Sequence, residues 1–233
     1  MKKIVLFAFA VLGLMALSSS TPSVITKSVE VGTFDSIVAK GKFDVKYLPG
    51  DQSVKVCGPE NSVKKFKVEV IEGVLTIESA KTSFIKGENL VVYISTPSLA
   101  SVRIEGAGDF KADRGIVSEN LNLNVSGAGN IEVKSLEVDD VKLSINGAGD
   151  IEVKGADCKS IDVVVNGAGD VGLEGVECKS FTANLNGAGS VAVAGQALEA
   201  NLVLNGAGSI DVSNFNCGNL NSKINGLGRI KRK

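Results

Sequence analysis

The sequence of 233 residues has no histidine and no tryptophan, four prolines, and aromatic residues at only 5%. Without histidine, the commonest general base and the commonest metal ligand are both missing, and without tryptophan so is the usual platform for stacking sugars. Few prolines beside 27 glycines call for many tight corners rather than disordered linkers. Scarce aromatics fit a narrow core filled by Val, Ile and Leu. Neither sign of charge dominates: 25 Lys and Arg against 26 Asp and Glu leave a formal net charge of -1, so no bulk attraction to nucleic acid or to an anionic membrane is implied.

Long apolar runs are confined to the N-terminus, where Met1-Lys2-Lys3 precedes Ile4 to Leu17 and Ala16-Leu17-Ser18 offers a small-x-small cleavage site. These are the parts of a secretory signal, and the run falls short of the ~20 residues of a spanning helix. The sequence thus predicts a signal peptide over 1–18 and a short linker over 19–30. With no Cys at the cleavage point, a lipid-anchored form is not expected. The mature chain is expected to lack a transmembrane segment and to reside in the periplasm, on the outer surface or outside the cell.

What is present in abundance is one motif. Asn146-Gly147-Ala148-Gly149-Asp150-Ile151 recurs with first glycines at 106, 127, 147, 167, 187, 206 and 226, spaced by 21, 20, 20, 20, 19 and 20 residues. The glycine pairs are Gly106 and Gly108, Gly127 and Gly129, Gly147 and Gly149, Gly167 and Gly169, Gly187 and Gly189, Gly206 and Gly208, and Gly226 and Gly228. So regular a period is the signature of a solenoid whose repeats contact only their neighbours. Around each corner the apolar residues alternate, as in Val141, Leu143 and Ile145 before it and Ile151 and Val153 after it. Alternation at period two places one half-buried strand on either side of the corner. Glycine suits a sharp corner, and Ala between the two is expected to point into the bend. Counting eleven residues forward from each first glycine gives a third inward column of Val117, Val138, Cys158, Cys178, Leu198 and Cys217.

Residues 31–104 alternate apolar and polar without the strict period, with turn signals at Pro49-Gly50-Asp51, Gly58-Pro59 and Glu72-Gly73. Gly41-Lys42-Phe43-Asp44-Val45 reads as a worn copy of Gly149-Asp150-Ile151-Glu152-Val153. The predicted fold is therefore all-β: a right-handed parallel β-helix-like solenoid over 31–230, with irregular capping coils over 31–104, regular ~20-residue coils over 105–230 and a basic tail at 231–233. Handedness here follows the general preference of parallel crossovers.

Several constellations could carry chemistry. Asn146, Asn166, Asn186, Asn205 and Asn225 share one repeat position, where stacked amides can form an Asn ladder. Asp150 and Asp170 share the next column with Asp109, Asn130, Ser190, Ser209 and Arg229, and Glu152 lies in a parallel column. Like charges one strand spacing apart repel, so Asp150, Asp170 and Glu152 are calcium candidates. The column reads equally as a solvated face, with Lys134 and Lys154 as neutralising neighbours. As a catalytic pair, Asp150 and Asp170 would serve a glycosidase, but they obey the repeat that a catalytic site normally breaks. Cys158 and Cys178 read as small buried hydrophobes, or as a pair about 5 Å apart at Cα and so within disulfide range. Gly-x-Gly does not cradle phosphate here, because each corner runs at once into strand rather than helix. Arg229 to Lys233 cluster charge at the solenoid's end, either guarding an open edge or meeting an anionic surface.

The run Phe34-Asp35-Ser36-Ile37, the stretch Leu99 to Asp109 and the repeated Asn-Gly-Ala-Gly together resemble the auto-transporter adhesin head GIN domain family of bacterial envelope proteins, over about residues 30 to 230. The resemblance implies a parallel solenoid and an adhesive or surface role, and it brings no catalytic residues. The expected function is an exported, non-enzymatic adhesin or envelope interaction protein without a cofactor. Its partners would be a glycan, an envelope protein or another copy of itself, and not nucleic acid. The alternatives are a carbohydrate-processing enzyme using Asp150 and Asp170, and a self-associating structural envelope protein.

Overall fold

A computed structural model describes residues 23–79 and 90–233. The signal peptide expected over 1–18 lies outside the described residues. Within them the chain is nearly all strand, wound as a β-solenoid of ~20-residue coils.

In the regular part each coil pairs a long strand with a short one. The long strands are β8 (Ser101–Gly106), β10 (Ile116–Gly127), β12 (Leu136–Gly147) and β14 (Ala156–Gly167), and the short ones are β9 (Phe110–Ala112), β11 (Ile131–Val133) and β13 (Ile151–Val153). Further along, short and long strands run together as β15 (Asp170–Gly187), β16 (Ser190–Gly206) and β17 (Ser209–Gly226), and β18 (Arg229–Lys231) closes the series. All of these pair in parallel with the coil before and after, matching like position with like: Leu123 with Leu143, Leu143 with Val163, Val163 with Ala183, Ala183 with Leu202. Period-two alternation turns one residue set inward, so these columns merge into one continuous apolar core from Phe34 to Phe215.

The corners differ from the sequence reading in one respect. Ala128, Ala148, Ala168, Ala188 and Ala207 face solvent, and the buried residue is the second glycine of each corner. Only the alanine's N–H faces the stack: that of Ala148 donates to the Gly127 carbonyl at 2.8 Å. A Cβ on Gly149 would instead lie 2.0 Å from the Gly129 carbonyl oxygen and 2.7 Å from Val125 Cγ1. The outward position tolerates bulk, and Leu227 occupies it at 95% exposure.

The third inward column also needs correction. Val117 and Leu198 are exposed, at 69% and 68%, and their places are taken by Ser118 and Ala197. The column that stacks is Ser118, Val138, Cys158, Cys178, Ala197 and Cys217, each nine residues before the next corner's first glycine. Counting forward fails because the length changes fall just after a corner. The first coil has an extra residue in the turn at Asp113-Arg114-Gly115, and the ladder shifts register between Leu173 and Val176.

The N-terminal part closes the solenoid out of chain order. β2 (Ser36–Gly41) and β3 (Asp44–Pro49) lie against β8 and β9, while β6 (Val74–Glu78) and β7 (Val91–Thr96) lie outside β2 and β3. Antiparallel strands then cover the end: β5 (Lys67–Ile71) on β6, β4 (Ser53–Pro59) on β7, and β1 (Val24–Val29) on β4. β1 falls within the stretch read as a linker, and its Ile25 and Val29 pack against the core. The worn repeat exists two residues away from its predicted alignment. Gly41 pairs with Gly106 and Val45 with Phe110, so Gly41 matches the first corner glycine rather than the second. Its φ of +126° is that of the other first corner glycines.

At the opposite end, β18 covers only Ser209 to Asp211 of β17. Asp211 fastens it: the carboxylate accepts from the Ser213 hydroxyl and N–H, and Lys231 Nζ lies 3.0 Å away. These hydrogen bonds, with Lys231, hold the Asp211 carboxyl down at about 2 against an ordinary 3.8. Because the folded value is depressed, the contribution is complete above 3.8 and is lost as pH falls through about 2. The expected result is that β18 frays only between about pH 4 and pH 2, followed through the Asp211 and Lys231 signals by NMR. Fraying near pH 6 would contradict it.

Candidate functional site

The long strands of seven successive coils, β8 to β17, turn three columns outward. Two residues apart along each strand, these columns begin at Ser101, Arg103 and Glu105 and end at Asn221, Lys223 and Asn225. Between them the first column runs Asn122, Lys142, Asp162, Thr182, Asn201. The second runs Asn124, Ser144, Val164, Asn184, Val203, and the third Ser126, Asn146, Asn166, Asn186, Asn205. Of these twenty-one positions ten are Asn and four are Ser or Thr, so amides and hydroxyls set the chemistry of the face. At about 4.8 Å per strand and 3.3 Å per residue it measures about 29 by 13 Å.

The third column is knitted together. Asn166 Nδ2 donates to Asn146 Oδ1 at 2.9 Å, Asn186 to Asn166 at 2.9 Å, Asn205 to Asn186 at 2.7 Å and Asn225 to Asn205 at 2.7 Å. In the first column Asn221 donates to Asn201 at 3.3 Å. Within the ladder an amide spends one N–H and one lone pair on its neighbours, so the other N–H and lone pair can serve an outside group. Asn166→Ala removes two of these bonds and is expected to lower stability by about 1–2 kcal/mol in urea unfolding, against roughly half that for Asn225→Ala at the ladder's end.

Only the third column was recognisable as a site candidate from sequence. The other two vary in residue type, and their signal is positional, two and four residues before the repeated Asn.

The acidic column lies around the corner from this face and is a hydrogen-bond ladder of its own. Asp109 Oδ1 accepts from the Asn130 N–H, Asn130 Oδ1 from the Asp150 N–H, Asp150 Oδ1 from the Asp170 N–H at 3.0 Å, and Asp170 Oδ1 from the Ser190 N–H and hydroxyl. Each carboxylate thereby ties its own coil to the backbone of the next, which offsets the repulsion read from sequence. Glu152 lies 3.9 Å from Lys154, and Glu132 sits between Lys111 and Lys154, each at 3.1 Å. The hydrogen bonds from those two ammonium groups hold the Glu132 carboxyl below its ordinary value. Among the described residues no three His, Cys, Asp or Glu side chains gather as a metal site requires. The groove along this edge is lined by Asp44, Lys46, Asp109, Lys111, Asp150 and Glu152 among others, but not by Asp170. Burial, then the Asp109 charge, raises the Asp44 carboxyl.

A family model described as putative auto-transporter adhesin, head GIN domain, matches residues 33–194 and again 156–232. The chain belongs to this head GIN domain family. No curated protein matches it. A putative adhesin from Bacteroides fragilis NCTC 9343 has a similar solved structure, with a TM-score of 0.82 and 22% identity over 91% of this chain and 99% of that one. A putative lipid binding protein from Parabacteroides distasonis ATCC 8503 follows the same course at TM-score 0.75 and 19% identity, over 90% of this chain and 96% of that one. A putative adhesin from Parabacteroides merdae ATCC 43184 superposes at 0.67 and 20% identity, with the same two coverages. Identities this low establish a shared head GIN fold, and the chemistry of the faces has to be read from this chain's own residues.

Proposed function

We propose that this head GIN protein is an exported, non-enzymatic adhesin of the cell envelope that binds a hydroxyl-rich glycan across its amide-rich face. The observation that carries this reading is the set of Asn, Ser and Thr columns repeated in register on seven strands. Planar amides donate and accept at once, as sugar hydroxyls do, and each exposed one here has capacity left. With no Trp and few aromatics, recognition proceeds by hydrogen bonding rather than stacking. Every such bond replaces one to water and is weak, so affinity has to come from many identical contacts along a polymer. Family membership and the signal-like N-terminus support export and a surface role. Binding to immobilised polysaccharides, compared between the natural protein and a triple Asn122→Ala, Asn184→Ala, Asn201→Ala variant, tests the reading. Retention that disappears in the variant is expected. Retention that survives it, or no retention of any polysaccharide, would refute the assignment of this face and leave an envelope protein as the partner to seek.

A second reading, self-association, is favoured by one observation. Among the described residues most of β17 has no strand on its outer side, and Ile224 on it and Leu227 just after it are exposed at 46% and 95%. An uncovered edge recruits other strands unless charge discourages it, and Arg229, Lys231, Arg232 and Lys233 stand beside it. Deleting residues 231–233 is expected to increase assembly size in light scattering. An unchanged monomer would remove this reading.

A further inference from the structure

We propose that Cys158 and Cys178 form a disulfide under oxidising conditions, stapling two successive coils of the solenoid. Both are half-buried with free thiols and occupy the same inward column on the adjacent parallel strands β14 and β15. Their places in the ladder are bracketed by Asp157 opposite Glu177 and Ser160 opposite Ser180. Parallel neighbours stand about 4.8 Å apart, inside the Cα range of disulfides, but their side chains run side by side, and bonding needs the Cβ atoms to draw closer.

The backbone here is built to allow that. In the other long-strand ladders one residue pair drops out of register pairing at this point of the coil, between Ser118 and Asn120 or between Ala197 and Glu199. Between β14 and β15 the gap is two pairs wide and includes both cysteines. The widest gap at this point of the coil is therefore the one that holds the two thiols. The Cys158 thiol donates to the Glu177 carbonyl beside Cys178, at 3.9 Å, and the closeness of the two thiols lowers the Cys178 thiol below its ordinary value and raises that of Cys158. Cys178 is thus the first nucleophile. Val138 and Ala197 flank the pair in the column and offer no competing thiol, while Cys217 lies one coil beyond Ala197.

The oxidant is an external disulfide. Cys178 as thiolate attacks one sulfur of it, forming a mixed disulfide and expelling one thiolate, which takes up a proton. Cys158 then loses its proton, attacks the Cys178 sulfur and expels the second thiolate. Two protein thiols are oxidised and one external disulfide is reduced to two thiols. The bond closes a ring spanning twenty residues, one coil, and leaves the outward columns untouched.

The probe is glutathione disulfide added to the purified full chain, with trypsin digestion after alkylation. Cleavage at Lys154, Lys159 and Lys179 puts Cys158 on peptide 155–159 and Cys178 on peptide 160–179. A cross-linked 155–159/160–179 species, with two of the four thiols lost, is expected. A melting temperature raised by roughly 5–10 °C and restored by dithiothreitol should accompany it. Neither effect should occur in Cys158→Ser or Cys178→Ser, whereas Cys217→Ser should retain both. Recovery of the two cysteines as separate alkylated or glutathionylated peptides would overturn the proposal, as would a link through Cys57 or Cys217.

Discussion

Gly167→Ala is expected to destabilise the protein by about 3–5 kcal/mol or to prevent its recovery in soluble form, whereas Gly172→Ala should be neutral or stabilising by up to about 1 kcal/mol. The two glycines are five residues apart in the same solenoid, and the substitution adds the same methyl group. Gly167 has φ of +138°, and its added Cβ would stand 2.2 Å from the Gly147 carbonyl oxygen and 3.1 Å from the carbonyl carbon. That carbonyl cannot withdraw, since it accepts the Ala168 N–H at 2.9 Å and belongs to a corner stacked on the one before. Strain in φ and a clash with backbone therefore add together. At Gly172 no left-handed φ is required, and the nearest atom to an added Cβ is Glu152 Cγ at 4.0 Å. There the main effect is on the unfolded chain, which loses conformational freedom when Gly becomes Ala. Urea unfolding of the two variants beside the natural protein measures both. A Gly167→Ala variant within 1 kcal/mol of the natural protein would mean that the corners yield, and the solenoid would need another account of its glycines.

The same contrast explains how far the sequence could be read. Corner positions were legible because only glycine satisfies them, and strand parity because a residue inward at Val141 forces Leu143 and Ile145 inward too. The Asn column showed itself by identity. What sequence could not supply was the origin of counting within a coil. Length changes at Asp113-Arg114-Gly115 and around Glu174-Gly175 fall between a corner and the following long strand. Only backward counting holds the register, and Val117 and Leu198 were misplaced by one residue each, which in a strand means the opposite face. Spatial order at the N-terminal end was likewise invisible. Alternation in Val92 and Ile94 marks a strand, but nothing in it says that β7 lies outside β3 although it follows it in the chain. Around the acidic corner, composition suggested repulsion between Asp150 and Asp170, while the hydrogen bonds that resolve it go to backbone N–H groups common to every sequence.

Phe181→Ala is expected to cost about 4–5 kcal/mol, the upper part of the range for aromatic truncation, because its neighbours cannot collapse into the space. Phe181 is fully buried in the column Val141, Ile161, Phe181, Ala200. The next inward residue on its own strand is Ala183, and Ala200 is its partner in the following coil, both fully buried. Small residues around a large one mean that the ring fills volume the neighbours left free. Phe215, two coils along, reaches the ring at a centroid distance of 5.4 Å and a tilt of 57°. It can do so because the coil between them carries Gly195 and Ala200 at the facing positions. Truncation at 181 therefore loosens three coils, not one. In a stack where each coil depends on its neighbours, the damage should run toward the end that has fewest coils left to hold it. Hydrogen exchange on Phe181→Ala is expected to show protection lost from β15 to β18 and retained from β8 to β13. Loss spread evenly over the whole chain would show that the solenoid unfolds as a single unit, and Phe215→Ala, which removes only the outer half of the contact at 8% exposure, would then be as damaging as Phe181→Ala rather than milder.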